Sequence, residues 1–246
     1  MEQVEQSPEY TLVQKRLYEL GAMTQTGDVR AWSRERYAGP VDGYTKERAA
    51  LHEKITSKIL IPDSVAPEGK RPRVVFLMGA PGTGKTTAGQ PLVKKIVPGA
   101  AAVVNADDIK EMLPEYLGWN AGALHHESTD ILEGTLMRRA IAGRHNMVLD
   151  LTGNNAHGLK SMAEALARRG YDVHIVKVDA PTHVAVARAW HRFLRKGRFV
   201  PPRYVEKSDH KADVTYDMLK SEGYVKSWAS VDTSGEYPVL VERGTR

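Results

Sequence analysis

The stretch that most constrains this chain is Gly79-Ala80-Pro81-Gly82-Thr83-Gly84-Lys85-Thr86-Thr87, set directly behind the apolar run Val74-Val75-Phe76-Leu77-Met78. It fits G-x-x-x-x-G-K-[ST], the phosphate-binding P-loop. The β-branched and aromatic run reads as a buried strand, and a helix can start at Lys85. Glycines let such a loop wrap tightly, so that backbone N–H groups converge on phosphate oxygens at the positive end of the following helix. Residues Gly79 through Thr87 are therefore expected to cradle the phosphates of ATP or GTP. Lys85 would reach the β- and γ-phosphates, and the Thr86 hydroxyl would ligate Mg²⁺. The preceding strand separates this stretch from an ordinary glycine-rich turn.

A chain of 246 residues is long enough for one α/β domain with an appendage. Its 41% hydrophobic and 26% charged content is that of an ordinary globular protein. The absence of cysteine removes disulfides, a thiolate nucleophile and Cys-ligated zinc, and is compatible with a reducing cytoplasm, the expected location. The opening Met1-Glu2-Gln3-Val4-Glu5-Gln6 is acidic and polar, unlike a secretory leader, and no apolar run has membrane-spanning length. A net charge of +5 suits an anionic partner without choosing among nucleotide, sugar-nucleotide and nucleic acid.

Two divisions follow from patterning: an N-terminal helical extension over residues 1–62 and a kinase-like domain over 63–246. In the first, Ser7-Pro8-Glu9 starts a helix with Tyr10, Val13, Leu17 and Leu20 on one face and Gly21 at its end. Thr24 to Gly43 reads as a loop. A second helix begins at Thr45 with Leu51, Ile55 and Ile59 on one stripe, and Pro62 to Pro72 joins it to the core. Such an amphipathic appendage is expected to pack on its own core. From Arg73 onward, apolar runs alternate with helical patterns: Val74–Met78, Ala101–Asn105, Met147–Leu151 and Tyr171–Val178, then shorter runs near Trp228–Val231 and Val239–Val241. The alternation implies a P-loop, doubly wound parallel sheet with helices on both faces. Expected helices carry Leu159, Met162, Ala163 and Leu166 up to Gly170, and Val186, Trp190, Phe193 and Leu194 after Thr182. A charged helix is expected over Tyr204 to Gly223.

In such sheets ligands bind beyond the carboxyl ends of the strands. Asn105-Ala106-Asp107-Asp108 and Asp150-Leu151-Thr152 follow two of the runs. One acid should stand near Mg²⁺, and the other should orient or deprotonate a hydroxyl acceptor. Capping of the following helix is the competing role for Asp107 and Asp108. Arg188, Arg192 and Arg195 share one helical face and are followed by Lys196-Gly197-Arg198. They are either solvated surface or the cations that phosphoryl transfer needs over the moving group. His125-His126 lacks a third ligand at convincing spacing and reads as structural. No tryptophan interleaves with basic residues as a base-stacking platform does.

Several segments resemble the zeta toxins, P-loop kinases of UDP-N-acetylglucosamine and related UDP-sugars. The resemblance runs from about Tyr44 to Val205. Asn105-Ala106-Asp107-Asp108-Ile109-Lys110 is similar to the family's N-x-D-[DE] segment, and His126-Glu127-Ser128 to its H-x-E-[ST] helix start. Met147-Val148-Leu149-Asp150-Leu151-Thr152 resembles its strand ending in acid-x-Thr, with Asp150 where many members carry Glu. Gly197-Arg198-Phe199-Val200-Pro201 looks like its arginine loop, and Thr45 to His52 like a helix preceding the core. The resemblance implies Asp107 as base and Asp108, Glu127, Asp150 and Thr152 at the acceptor. It implies that Lys85, one of Arg188 or Arg192, and Arg198 neutralise the phosphoryl group. It also implies Mg²⁺, a nucleotide, a UDP-sugar and an inhibitory antitoxin protein as partners. A kinase acting on another small molecule or a nucleic-acid end, and a nucleotide-dependent partner-binding switch, remain as alternatives.

Overall fold

The computed structural model describes residues 2–23, 30–39, 43–208 and 210–246, and no helix among them is long and apolar enough to cross a membrane. They form two compact units. A helical unit comprises Met1–Ile59, Asn105–Arg138 and Ala189–Pro202, and a sheet unit comprises Leu60–Val104, Arg139–Arg188 and Arg203–Arg246.

The sheet unit holds β1 (Arg73–Met78), β2 (Ala102–Val104), β3 (Met147–Leu151), β4 (Asp172–Asp179), β5 (Val225–Asp232) and β6 (Val239–Thr245), in the order β2-β3-β1-β4-β5-β6. Each apolar run seen in the sequence became one of these strands. Val74 through Met78 are completely buried, as a central strand covered on both faces must be. Val75 and Leu77 pack with Val148, Val176, Val178 and Val231 against Ala88, Val93 and Val97, which follow the phosphate loop. The helices Ala156–Arg168 and Lys211–Lys220 pack on each other and on β4. Asn155 caps the first through a 3.0 Å bond from Gly158 N, and Gly170, at φ +88, lies just beyond its end.

Three expectations are corrected. β1 to β5 pair in parallel, but β6 runs antiparallel to β5. Only residues 233–238 separate the two, too few for a crossover helix, so the chain makes a hairpin. The helix expected over Tyr204 to Gly223 is two helices, Pro202–Ser208 and Lys211–Lys220, interrupted where His210 takes φ +55. The loop expected over Thr24 to Gly43 contains the helix Trp32–Arg36; residues 24–29 and 40–42 of it lie outside the described residues.

In the helical unit Ser7 caps Pro8–Glu19 by accepting from Tyr10 N at 3.2 Å. Its Val13 and Leu17 are buried with Ala22, Ala123 and Phe199, so the amphipathic face is spent inside the chain's own core. The helix Lys46–Ile59 buries Arg48, His52, Ile55, Thr56 and Ile59. Leu51, expected on that stripe, is half-buried, and three polar residues, Arg48, His52 and Thr56, take buried positions that hydrophobic periodicity passed over.

Candidate active site

The phosphate loop leaves the carboxyl end of β1, which lies between β3 and β4. Its glycines are required sterically. A Cβ on Gly79, at φ +154, would stand 2.2 Å from Val178 O; one on Gly82, at φ +89, would stand 2.1 Å from Ala185 O. Gly84, at φ +88, leads into a π-helical turn over Lys85–Gly89 that continues as the α-helix Gln90–Ile96. Thr83 is buried and donates to Ala80 O at 2.9 Å, while Thr86 and Thr87 are exposed on the first turn. Lys85 Nζ donates to Gly79 O at 2.5 Å and Ala80 O at 3.3 Å. Its ammonium thus lies over the mouth of the loop, where a phosphate would sit.

Asp150, on β3 opposite Leu77 of β1, brings Oδ1 to 3.7 Å from Lys85 Nζ. Thr152 follows at the strand end, half-buried. Thr233, just past β5, was not singled out in the sequence. Its hydroxyl donates to Thr83 O at 2.7 Å and accepts from Arg188 Nη1 at 2.9 Å, and its carbonyl accepts from Arg188 Nη2 at 2.8 Å. Arg188 is therefore tied to the phosphate loop through one threonine. The rule that strand ends carry ligands applied equally to the residues after Trp228–Val231 and would have found it.

The second cluster belongs to the helical unit. Asn105 caps the helix Ala106–Glu111 by accepting from Asp107 N at 2.8 Å. Capping is thus Asn105's role, and the Asp107 carboxylate is used elsewhere. Its Oδ1 pairs with Lys110 Nζ at 3.0 Å and its Oδ2 with Arg198 Nη2 at 3.1 Å. Burial alone would raise the Asp107 pKa; Lys110 and Arg198, with Arg192 beyond them, outweigh it and bring the group down to about 2. Asp108, half-buried, stands next to it on the same helix. Arg198 also lies 3.8 Å from Glu111, and its Nε is buried with no hydrogen-bond partner, an unused donor. Of the two arginines between which the sequence did not choose, Arg188 accompanies the phosphate loop and Arg192 acts on Asp107.

Glu127 is not arranged as expected. It is completely buried, with Oε1 accepting from Arg48 Nε at 2.5 Å and lying 2.7 Å from His52 Nε2, and Oε2 accepting from Arg48 Nη2 at 3.0 Å. Burial opposes ionisation, but hydrogen bonds from His52 and Arg48 overcome it and hold the pKa near 2. Direct contact with an acceptor needs an uncovered carboxylate, and this one is covered. Arg48 also binds Glu115 at 2.8 and 2.9 Å and lies 3.9 Å over the Tyr37 ring. Around the same helix start, Tyr44 donates to Asp130 at 2.6 Å, and Arg34 Nε does so at 2.7 Å. No group of three or more His, Cys, Asp or Glu side chains suited to holding a metal occurs among the described residues.

A family model described as zeta toxin matches residues 59–242. The chain belongs to the zeta toxin family. It is accordingly a nucleotide-binding P-loop kinase, a phosphotransferase. No curated protein matches it. Among solved structures it is similar to one from the PezAT chromosomal toxin–antitoxin system of Streptococcus pneumoniae, at 16% identity and TM-score 0.62 over 82% of each chain. It is also similar to an AvrRxo1-ORF1:-ORF2 structure with ATP, at 17% identity and TM-score 0.67, over 86% of this chain and 76% of that one. At such identities these likenesses concern the fold.

Proposed function

We propose that this zeta-toxin-family chain is a Mg²⁺-dependent kinase acting in the cytoplasm, moving the γ-phosphoryl group of ATP or GTP to a hydroxyl of a UDP-sugar such as UDP-N-acetylglucosamine. The observation that carries the reading is Asp107, kept anionic between two cations at the start of the helix that follows β2. Phosphoryl transfer passes through a loose transition state, so positioning and charge matter more than base strength. A carboxylate as acidic as Asp107 suits that demand. It orients the acceptor hydroxyl and takes its proton once bonding to phosphorus has acidified it. Asp108 and Thr152 remain acceptor contacts in this reading, and Glu127, covered by Arg48 and His52, does not touch the acceptor.

Lys85 neutralises the β- and γ-phosphate oxygens, and the spare Arg198 donor serves the transferring group. Mg²⁺ commonly takes one or two protein oxygens and fills its remaining positions with phosphate and water. The exposed Thr86 hydroxyl and the Asp150 carboxylate beside Lys85 fit that need and would hold it. When bound it supplies charge neutralisation across the β- and γ-phosphates. Asp150 thereby moves from the acceptor role implied by the resemblance to the metal side.

The alternative of a nucleic-acid acceptor drew on the basic helix, yet Arg188 of that helix is committed to Thr233. Membership of a toxin family, and likeness to a structure from a toxin–antitoxin system, support an antitoxin protein as the restraining partner. The deciding experiment supplies γ-labelled ATP, Mg²⁺, a panel of UDP-sugars and a panel of oligonucleotides. Label is expected on a UDP-sugar. Label on oligonucleotide alone overturns the acceptor class, and no transfer to either panel overturns the UDP-sugar reading in favour of another small-molecule acceptor or the switch.

A further inference from the structure

Arg198 sits in a bend whose two flanks both meet Gly118. On one side Gly197, at φ +73, packs on Gly118, at φ +76, where a Cβ would stand 2.5 Å from Gly197 O. On the other side Phe199 N donates to Gly118 O at 3.3 Å. The Phe199 side chain, 4% exposed, enters the cluster of Val13, Leu17, Ala22 and Ala123. Its ring meets Tyr10 at 5.8 Å and Phe193 at 5.4 Å, both edge to face. Tyr10, Val13 and Leu17 all belong to the Pro8–Glu19 helix, which lies ahead of the residues 59–242 that the family model matches. A buried aromatic next in sequence to a functional arginine fixes that arginine's backbone as firmly as its own socket is packed. If the socket loosens, the Gly118 contacts and the 2.7 Å bond from Gly197 N to Phe193 O still hold the Gly197 flank, but the Phe199 flank loses the packing that helps aim Arg198 at Asp107.

We propose, resting on the reading above for what Arg198 does, that the Pro8–Glu19 helix is a positioning element of the acceptor site. Val13 and Leu17 form the socket for Phe199 and through it set the distance between Arg198 and Asp107. The N-terminal helix then contributes to chemistry that its own side chains never touch.

Leu17→Ala opens the socket, and Val13→Ala does so more mildly should the first variant fold poorly. Both are made in the full chain, alone and combined with Arg198→Ala, and two properties are measured. The first is the titration of the Asp107 carboxyl by NMR. Asp107 is faced by Lys110 from its own helix and by Arg198 and Arg192, so losing Arg198 should raise its pKa. Opening the socket should raise it in the same direction, with no further rise once Arg198 is alanine. The second is kcat/KM for transfer. We expect a loss on the order of tenfold for Leu17→Ala, no added loss in the Arg198→Ala background, and unchanged ATP affinity by calorimetry.

A folded socket variant whose Asp107 titrates as in the parent overturns the proposal. So do losses that simply add to those of Arg198→Ala, which is the behaviour of an independent structural site. If the titrations shift as expected but no acceptor is ever labelled, the positioning stands and the kinase reading falls. If label is transferred equally well by parent and socket variants, the kinase reading stands and the positioning falls.

Discussion

In the sheet unit, the phosphate loop is shaped by side chains that are missing: a Cβ on Gly79 or Gly82 would meet a backbone oxygen at 2.2 or 2.1 Å. In the helical unit, the Asp107 cluster is shaped by side chains that are present and charged, with Lys110, Arg198 and Arg192 acting on one carboxylate and Arg48 bridging two others. Steric constraint of the first kind is local, insensitive to pH, and fails only when an atom is added. Electrostatic constraint of the second kind is assembled from distant segments. It depends on protonation and fails when one partner is removed, because the remaining charge is left buried.

The largest effects should separate the two clusters by what they spare. Lys85→Ala removes the cation over the loop mouth and is expected to lower transfer by on the order of a thousandfold or more, while weakening nucleotide binding as well. Asp107→Asn keeps the shape but loses the proton acceptor and the anion. Transfer should fall by on the order of a hundredfold to ten-thousandfold with nucleotide affinity unchanged. Isothermal titration with ATP, beside single-turnover transfer, distinguishes them. If Asp107→Asn lost nucleotide affinity as Lys85→Ala does, the division into two functional clusters would be broken.

Next in size is the consequence of unpairing a buried charge. Arg48 is 6% exposed and its guanidinium serves both Glu115 and Glu127. Arg48→Met should cost about 3–5 kcal/mol in urea unfolding, because Glu127 is left buried and ionisable. Adding Glu127→Gln should return part of that loss, since the double variant no longer buries an orphaned charge. Strictly additive losses would mean that the two residues do not act as a pair.

The same contrast explains what could be read from the chain before its structure. Gly79 to Thr87 is contiguous, so its physics survives as spacing, and the strands flanking it survive as apolar runs. Asp107 and Asp150 could be singled out as candidates because strand ends are where open sheets place ligands. The Arg48–Glu127 pair spans 79 positions and leaves no periodic trace, and helical patterning treats both residues as surface. The family resemblance located Glu127 but not its partner, so the residue was given to the acceptor. β6 was recognised as a strand, yet its direction depended on the shortness of the link after Asp232, a matter of geometry rather than composition.

The smallest expected effect concerns acid, and it separates a buried histidine from a buried carboxylate by pH window. His174, on β4, has Nδ1 2.7 Å from Ser227 Oγ and a buried Nε2 without a partner. Burial pushes its pKa down to about 4; Asp172 opposes that shift, and Arg73 and Lys226 reinforce it. The folded state therefore binds fewer protons than the unfolded state between the ordinary histidine value and about 4. Stability is present above that window and is lost as pH falls through it, by at most about 1.4 kcal/mol per pH unit. Glu127 behaves differently. Its pKa is held near 2, so its contribution is complete above the ordinary carboxylate value and is lost only as pH falls from there towards 2. Urea midpoints compared at neutral pH and at pH near 5 should fall for the parent and fall less for His174→Gln. An equal fall in both would assign the acid sensitivity to another group, such as His145 in the sheet unit or His125 in the helical unit, whose pKa values burial also lowers.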